Sequence, residues 1–479
     1  MVIDQIDGTA LGGRLSGSGR VSWIGDQRWS ARFQAQNVDI ATLRPDLPGR
    51  ISTVATVEGR GFEPTSPWTA RLASLSGTVR GRALTGRGEI AHGNGNYDLR
   101  GVRIANGGSH VDIDGRWGST VDLRWNADVR SLSLLHPDLS GELVSSGRAR
   151  GNATRPELDA DVRARQLRLG STIVDSLQGE IDLDLTDARD SRVDLRATSV
   201  DLGFVLLDTA RFQLQGRTAE HELSLHFSST RDDSRRLPGF DARLAARGEF
   251  EVGTRRWHGL LDEATLAYPD GRATLLQAAA IEVGPDQLRA APICLQTDDA
   301  RLCVEGERIA EPASMRVLFS AQDWPLERLL RSVLGWRELD GKLQAAGWIT
   351  QQGTQPWVGA MTLYVDDPTL SIPRNQFRSE RVRLGRARFD LTAEPEELRA
   401  TLAMNVVEGT HLDGAVVVTR DPEQEFAGYP LRGEVRAKST ALTALPLFVP
   451  EIDRSSGILD AALAVSGTLG EPRFDGEFH

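Results

Sequence analysis

The sequence predicts an all-β fold: an elongated, repetitive, antiparallel sheet folded over on itself, with a few short capping helices. Three observations lead there. Apolar and polar residues alternate with a period of two in run after run. Glycine- and asparagine-rich turn signals separate the runs. A glycine–proline cadence returns about every hundred residues, which marks a structure that grows by stacking rather than around one centre.

The cadence is a glycine followed fifteen positions later by a proline, with an alternating stretch between. Its copies open at Gly49, Gly141, Gly341 and Gly457 and close at Gly61-x-x-Pro64, Gly151 to Pro156, Gly353 to Pro356 and Gly467 to Pro472. A degenerate copy runs from Gly239 to Gly253 without the proline. The five opening glycines lie 92, 98, 102 and 116 residues apart.

The strands follow in order. Val121, Leu123, Trp125, Ala127 and Val129 alternate with Asp122, Arg124, Asn126 and Asp128, giving one dry and one wet face. Ile181 to Leu185, Val193 to Ala197 and Leu223 to Phe227 repeat the pattern. Asn94-Gly95, Asn106-Gly107-Gly108 and Pro269-Asp270-Gly271 supply turns between such runs. Runs recur about every dozen residues, so some forty strands are expected. Shared between two walls, they make roughly twenty rungs and on the order of 100 Å of sheet. Helical patterning is confined to stretches just before the cadence glycine: Leu132 to Pro137, Pro325 to Leu334 and Ala441 to Phe448. The second places Leu326, Leu329, Leu330, Val333 and Leu334 on one stripe. These read as short plugs at a fold-over of the sheet, or as amphipathic helices facing lipid or a partner.

Cys294 and Cys303 are the two cysteines. A turn over Thr297 to Ala300 sets Leu295 opposite Leu302 and Cys294 opposite Cys303, within reach of a disulfide. Such a pair points to an oxidising compartment; two buried thiols in a reducing one are the alternative.

Composition narrows the function classes. A net charge of −11 disfavours binding to a phosphate backbone, so no nucleic-acid partner is expected. No run of eighteen apolar residues exists to span a bilayer, and Met1 to Asp7 lacks the marks of a signal peptide. The last cadence copy stops at His479, so the chain reads as a segment of a longer protein. His221 and His226 miss a zinc-protease spacing by one and fall on opposite strand faces. Gly335 to Leu343 departs from a phosphate loop by one residue and lacks its hydroxyl. Carboxylates such as Asp182 and Asp184 read as solvent-face charge. No catalytic residue, metal ligand or cofactor is expected, and no enzymatic activity.

The Leu-x-Gly opening, the alternating run, the Gly-to-Pro close and the amphipathic stretch in front resemble the TamB family of AsmA-like envelope proteins. The hairpin from Ile293-Cys294-Leu295 to Leu302-Cys303 matches a paired-cysteine feature of that family. The resemblance implies a U-shaped sheet with an apolar groove, called a β-taco, over residues 1–290. Residues 291–479 would continue into the start of an incomplete C-terminal domain. It implies a periplasmic protein held to the inner membrane by an N-terminal segment absent from this chain. Its partners would be a TamA-like outer-membrane barrel, phospholipids and nascent outer-membrane proteins, including autotransporters. Val121, Leu123, Trp125, Val129, Leu223, Leu225 and Phe227 are the expected groove-lining residues. Two other readings stand beside lipid transport. One is a scaffold that pairs its strands with nascent barrels; the other is an extracellular β-solenoid adhesin or polysaccharide-binding protein.

Overall fold

Residues 1–134, 139–203, 205–230, 239–269, 271–298, 300–326, 339–375, 378–407, 409–421, 424, 426–440 and 457–478 are described by a computed structural model. Among them the regular structure is antiparallel strand, interrupted by three 3-10 turns. The strands pair antiparallel throughout, and in residues 1–229 each is hydrogen-bonded to the strand before it and the strand after it.

Residues 1–229, with 248–254, form one compact unit. Its strands are β1 (Val2–Ala10), β2 (Gly13–Val21), β3 (Arg28–Asp39), β4 (Gly49–Arg60), β5 (Trp68–Val79), β6 (Arg82–Gly93), β7 (Asn96–Asn106), β8 (Ser109–Gly118), β9 (Thr120–Val129), β10 (Leu139–Asn152), β11 (Arg155–Leu169), β12 (Thr172–Asp184), β13 (Ser191–Asp201), β14 (Leu206–Gly216) and β15 (His221–Ser229). They pair in sequence order from β1 to β15. This corrects the expectation of rungs shared between two walls: each strand is its own rung. Fourteen such spacings make ~67 Å of hydrogen-bonded sheet in this unit. The second unit, residues 230–247 and 255–479, is built the same way. There Gly271–Leu275 and Ala279–Val283 together occupy one rung, both between the strands Arg256–Tyr268 and Gln287–Thr297. The strand Gln287–Thr297 runs across the 290/291 boundary expected from the sequence.

The cadence has a backbone cause. Two of its opening glycines, Gly49 and Gly141, lie at or near strand starts at crowded points. A Cβ on Gly49 would stand 2.2 Å from the Thr78 carbonyl oxygen, and one on Gly141 would stand 2.5 Å from that of Gln166. Gly141 and Gly341 also sit at register shifts, where the strand must bend. The closing glycines Gly61, Gly151, Gly353 and Gly467 all hold φ between +55° and +99°, which L side chains rarely adopt. The degenerate copy closes at Gly253, where no such φ is found.

Antiparallel order puts the connections after odd-numbered strands of the first unit on one edge and those after even-numbered strands on the other. The long loops before Gly49 and Gly141 follow β3 and β9, so they share an edge, here the cap edge. Ile40–Thr42 forms a 3-10 turn in the first loop, where the Asp39 carboxylate accepts from the Ala41 N–H at 3.0 Å. Leu132–Leu134 forms another in the second, in place of the start of the helix expected over Leu132 to Pro137. Arg80, in the β5–β6 turn, ties both together: it donates to the Asp46 carbonyl at 2.8 Å and to the Ser133 carbonyl. The other two expected helices, from Pro325 and Ala441, lie outside the described residues apart from Pro325 and Leu326.

The expectation that Asp184 lies on a solvent face is overturned. Its side chain is 1 % exposed. It sits where β12 ends and accepts from the Thr186 N–H at 2.8 Å, the Thr186 hydroxyl at 2.5 Å and the Arg189 N–H at 2.9 Å. The strand-end turn over residues 185–190 wraps its backbone donors around the carboxylate, which strand alternation alone does not reveal.

Candidate functional site

Register decides which residues of the sheet share a face, because directly opposed residues of an antiparallel pair point to the same side. Starting at Leu123 and working back, the partners are Gly115, Leu99, Ile90, Ala70, Val57, Ala31, Gly19 and Ile3. Working forward they are Ala149, Leu158 and Leu183. The row one step along passes from Trp125 through Gly147, Ala160, Ile181, Val193 and Leu214 to Leu223. A third runs from Val129 through Leu143, Ala164, Leu177, Ala197 and Ala210 to Phe227. Leu225 belongs to the row between, opposite Phe212. The seven residues expected to line a groove thus lie on one face of the first unit, joined by rows without a charged member.

That face is not sealed. Val121 and Val129, at the two ends of β9, are 3 % and 5 % exposed. Leu123 and Trp125 between them are half-buried, as are Leu223, Leu225 and Phe227 on β15. The substantial packing among described elements is between hydrogen-bonded neighbours, with the two 3-10 turns resting on β4 and β10. No second layer of structure lies over the middle of these strands among the described residues.

Bulky side chains on this face lie over glycines. A Cβ on Gly147 would stand 2.4 Å from the Trp125 ring, and one on Gly179 would stand 2.7 Å from Leu195 Cδ2. The flattened ring of Trp125 keeps its N–H satisfied by Ser145 Oγ at 3.1 Å. Sequence alternation identified the large residues and missed these small partners, because nothing local in the sequence says which glycine stands opposite which ring. It also missed a row of aromatics nearer the strand ends: Trp29, Trp68, His92, Tyr97 and Trp117, linked through Gly59. The second unit repeats the apolar pattern from Leu302 through Ala321, Ala345, Leu363, Phe389 and Leu402 to Gly414.

The opposite face carries charge in cross-strand pairs. Glu89 sits between Arg71 and Arg100 at 2.6 and 3.1 Å, and Asp194 meets Arg211 at 2.6 Å. The hydrogen bond from Arg211, helped by Arg196 and resisted by partial burial, lowers the Asp194 carboxyl to about 2. At Asp184 burial pushes the pKa up, but the bonds from Thr186 and Arg189 outweigh it and the net shift is downward. Neither carboxylate faces the apolar rows, and both are held by structure rather than poised for proton transfer.

Cys294 and Cys303 are directly opposed, with Cα atoms 4.0 Å apart, and are joined as a disulfide. They lie on the face opposite Leu295 and Leu302. His221 shares the apolar face with Leu223, while His226 pairs with Arg211 on the other. No cluster of three or more potential metal ligands occurs among the described residues. No helix among them is long and apolar enough to cross a membrane.

Comparison with known proteins adds the family. A profile described as TamB, N-terminal domain, matches residues 1–479. The translocation and assembly module subunit TamB of Haemophilus influenzae is 21% identical over 491 residues, covering 100% of this chain and 36% of that protein. The chain therefore spans a little over a third of the length of that relative. On its sheet of serially paired strands and its full-length family match, the chain belongs to the TamB family, through that family's N-terminal domain.

Proposed function

We propose that this chain is part of a periplasmic envelope protein of the translocation and assembly module, held to the inner membrane by another part of that protein. Its apolar face carries phospholipid acyl chains between the inner and outer membranes. It serves the assembly of outer-membrane proteins together with a TamA-like barrel. One observation carries this reading: uncharged rows run from Ile3 to Leu183 and from Trp125 to Leu223, and although Ala160 and Val193 are buried, Leu123, Trp125, Ile181, Leu214 and Leu223 along them are only half-buried. Each acyl CH₂ taken from water onto such a surface gains ~0.8 kcal/mol. Similar rungs in series let a chain advance without a deep trap, and no bond need be made or broken. The Cys294–Cys303 disulfide suits an oxidising periplasm.

Photo-reactive residues at Leu123 and Leu225 should capture phospholipid in cells. Leu123→Asp and Leu225→Asp should abolish capture and transport while the soluble protein keeps its β signature, since both positions are already partly hydrated. Full transport in both variants refutes the proposal. Capture of nascent barrel strands with no lipid would establish the strand-pairing scaffold instead.

A further inference from the structure

The two edges of the apolar face in the first unit are unlike. On the cap edge the inward residues Val38, Val79 and Val129 are 6, 9 and 5 % exposed, and Arg80 draws the loops together over them. On the other edge the inward row is aromatic and open. Tyr97 and Trp117 are 41 and 53 % exposed. Trp68 stacks on His92 with ring centroids 5.8 Å apart, and His92 meets Tyr97 at 4.8 Å. Trp29 donates its ring N–H to the Gly61 carbonyl at 2.9 Å. At this edge a cleft of about 790 Å3 is lined by Arg20, Arg28, Glu58 and Arg60 of the charged face together with Trp29 and Trp68 of the inward row. Arg28 is engaged by Asp26 at 2.6 Å. Arg20 and Arg60 have no carboxylate partner among the described residues. Aliphatic floor, aromatic lip and guanidinium outside reproduce, across one edge, the order of environments met on leaving a bilayer. Tyrosine and tryptophan suit its boundary because one end of each is apolar and the other polar.

We infer that the aromatic edge of β2 to β8 is a rim over which a phospholipid is held: acyl chains inward on the Ala31–Val57–Ala70–Ile90 row, phosphate outward between Arg20 and Arg60. This rests on the acyl-chain reading above and adds to it an edge, an orientation and a preference for headgroups with net negative charge. Arginine is the residue for the outer position, since its planar fork matches phosphate oxygens. On the cap edge, by contrast, Arg80 is taken up by the Asp46 and Ser133 carbonyls.

The test uses the purified full chain with phosphatidylglycerol carrying a photolabel either in the headgroup or at the end of an acyl chain. Affinity tags placed at Tyr97 on the rim, Leu84 on the cap side and Leu123 on the floor report which label reacts where. Headgroup label should mark the Tyr97 region and not the Leu84 region, and tail label should mark Leu123. Arg20→Gln with Arg60→Gln should remove the headgroup mark and weaken phosphatidylglycerol binding about tenfold, the scale of one charge-assisted hydrogen bond. Phosphatidylcholine binding should change less, and the tail mark at Leu123 should survive at saturating lipid. Headgroup marks equal on both edges, or a double variant that binds as before, overturn the rim while leaving the groove standing. Absence of any tail mark at Leu123 overturns the groove and the rim with it.

Discussion

Replacing Gly147 by alanine tests the packing of the apolar face directly. The new methyl would stand 2.4 Å from Trp125 Cζ2 and 2.5 Å from the Asp159 carbonyl oxygen. A ring can swing away; a backbone carbonyl in a ladder cannot without disturbing β10 and β11. Overpacking of this kind costs ~1–3 kcal/mol. A displaced ring also gives up its 3.1 Å bond to Ser145 Oγ, worth about 1 kcal/mol. Against this, alanine restricts the unfolded chain and returns roughly 0.4–1 kcal/mol. The net expectation is a local loss of ~1–3 kcal/mol. In a serially paired sheet, stability is best read locally. Amide exchange in β9, β10 and β11 should therefore quicken by about 5- to 150-fold, with little change in β1 to β4. Adding Trp125→Leu removes the ring clash but not the carbonyl clash, so it should recover part of the loss and no more. The displaced indole would also project into the space assigned to acyl chains, so transport should fall with exchange protection. If exchange in these three strands is unaltered and Trp125 keeps its emission spectrum, the packing argument is wrong.

Three further outcomes are expected. Asp184→Ala removes the acceptor for two backbone N–H groups and a hydroxyl at a buried turn, and should cost about 2–3 kcal/mol in urea unfolding of the first unit; a loss under 0.5 kcal/mol would contradict its assigned role. Asp194 is lowered from 3.8 to about 2, so its contribution is present above pH 4 and disappears as pH falls toward 2. The shift has a ceiling of ~2.4 kcal/mol. Solvent screening of a pair about a third exposed brings it near 1 kcal/mol, and Arg211→Gln should flatten that acid limb of the stability curve. The Cys294–Cys303 bond closes a loop with a sequence separation of 9, worth at most ~2.7 kcal/mol through the unfolded chain. Double replacement by alanine should loosen that hairpin alone, and alkylation of both thiols in native, unreduced protein would show the bond to be absent.

The class of fold was legible because it is written in short-range chemistry. Residues Val121 to Val129 alternate strictly, and only a pleated strand gives that alternation a dry face. The cadence was legible too, because left-handed turns at Gly61, Gly151, Gly353 and Gly467 demand glycine whatever surrounds them. Paired cysteines nine apart with a turn between announce their own hairpin. The seven apolar positions were readable one strand at a time, but that they share one face with Ile3 or Ile181 was not. That depends on register accumulated over many pairings, and each bulge, such as those near Gly141 or between Leu72 and Leu75, flips the reading for everything beyond it. Serial pairing rather than two shared walls was likewise a tertiary decision. Strand spacing in sequence is the same for both.

Asp184 marks the limit of alternation most plainly: by position it is a wet residue, and a six-residue turn buries it. The aromatic edge marks it in another way. Trp29, Trp68, Tyr97 and Trp117 lie in separate stretches of chain, each unremarkable in its own strand. Only hydrogen bonding between strands lines them up on one side of the sheet and places Arg20 and Arg60 behind them. The sequence determined, residue by residue, which side chains avoid water. The tertiary structure decided which of them stand together, because neighbours across a sheet are set by pairing that no local pattern encodes.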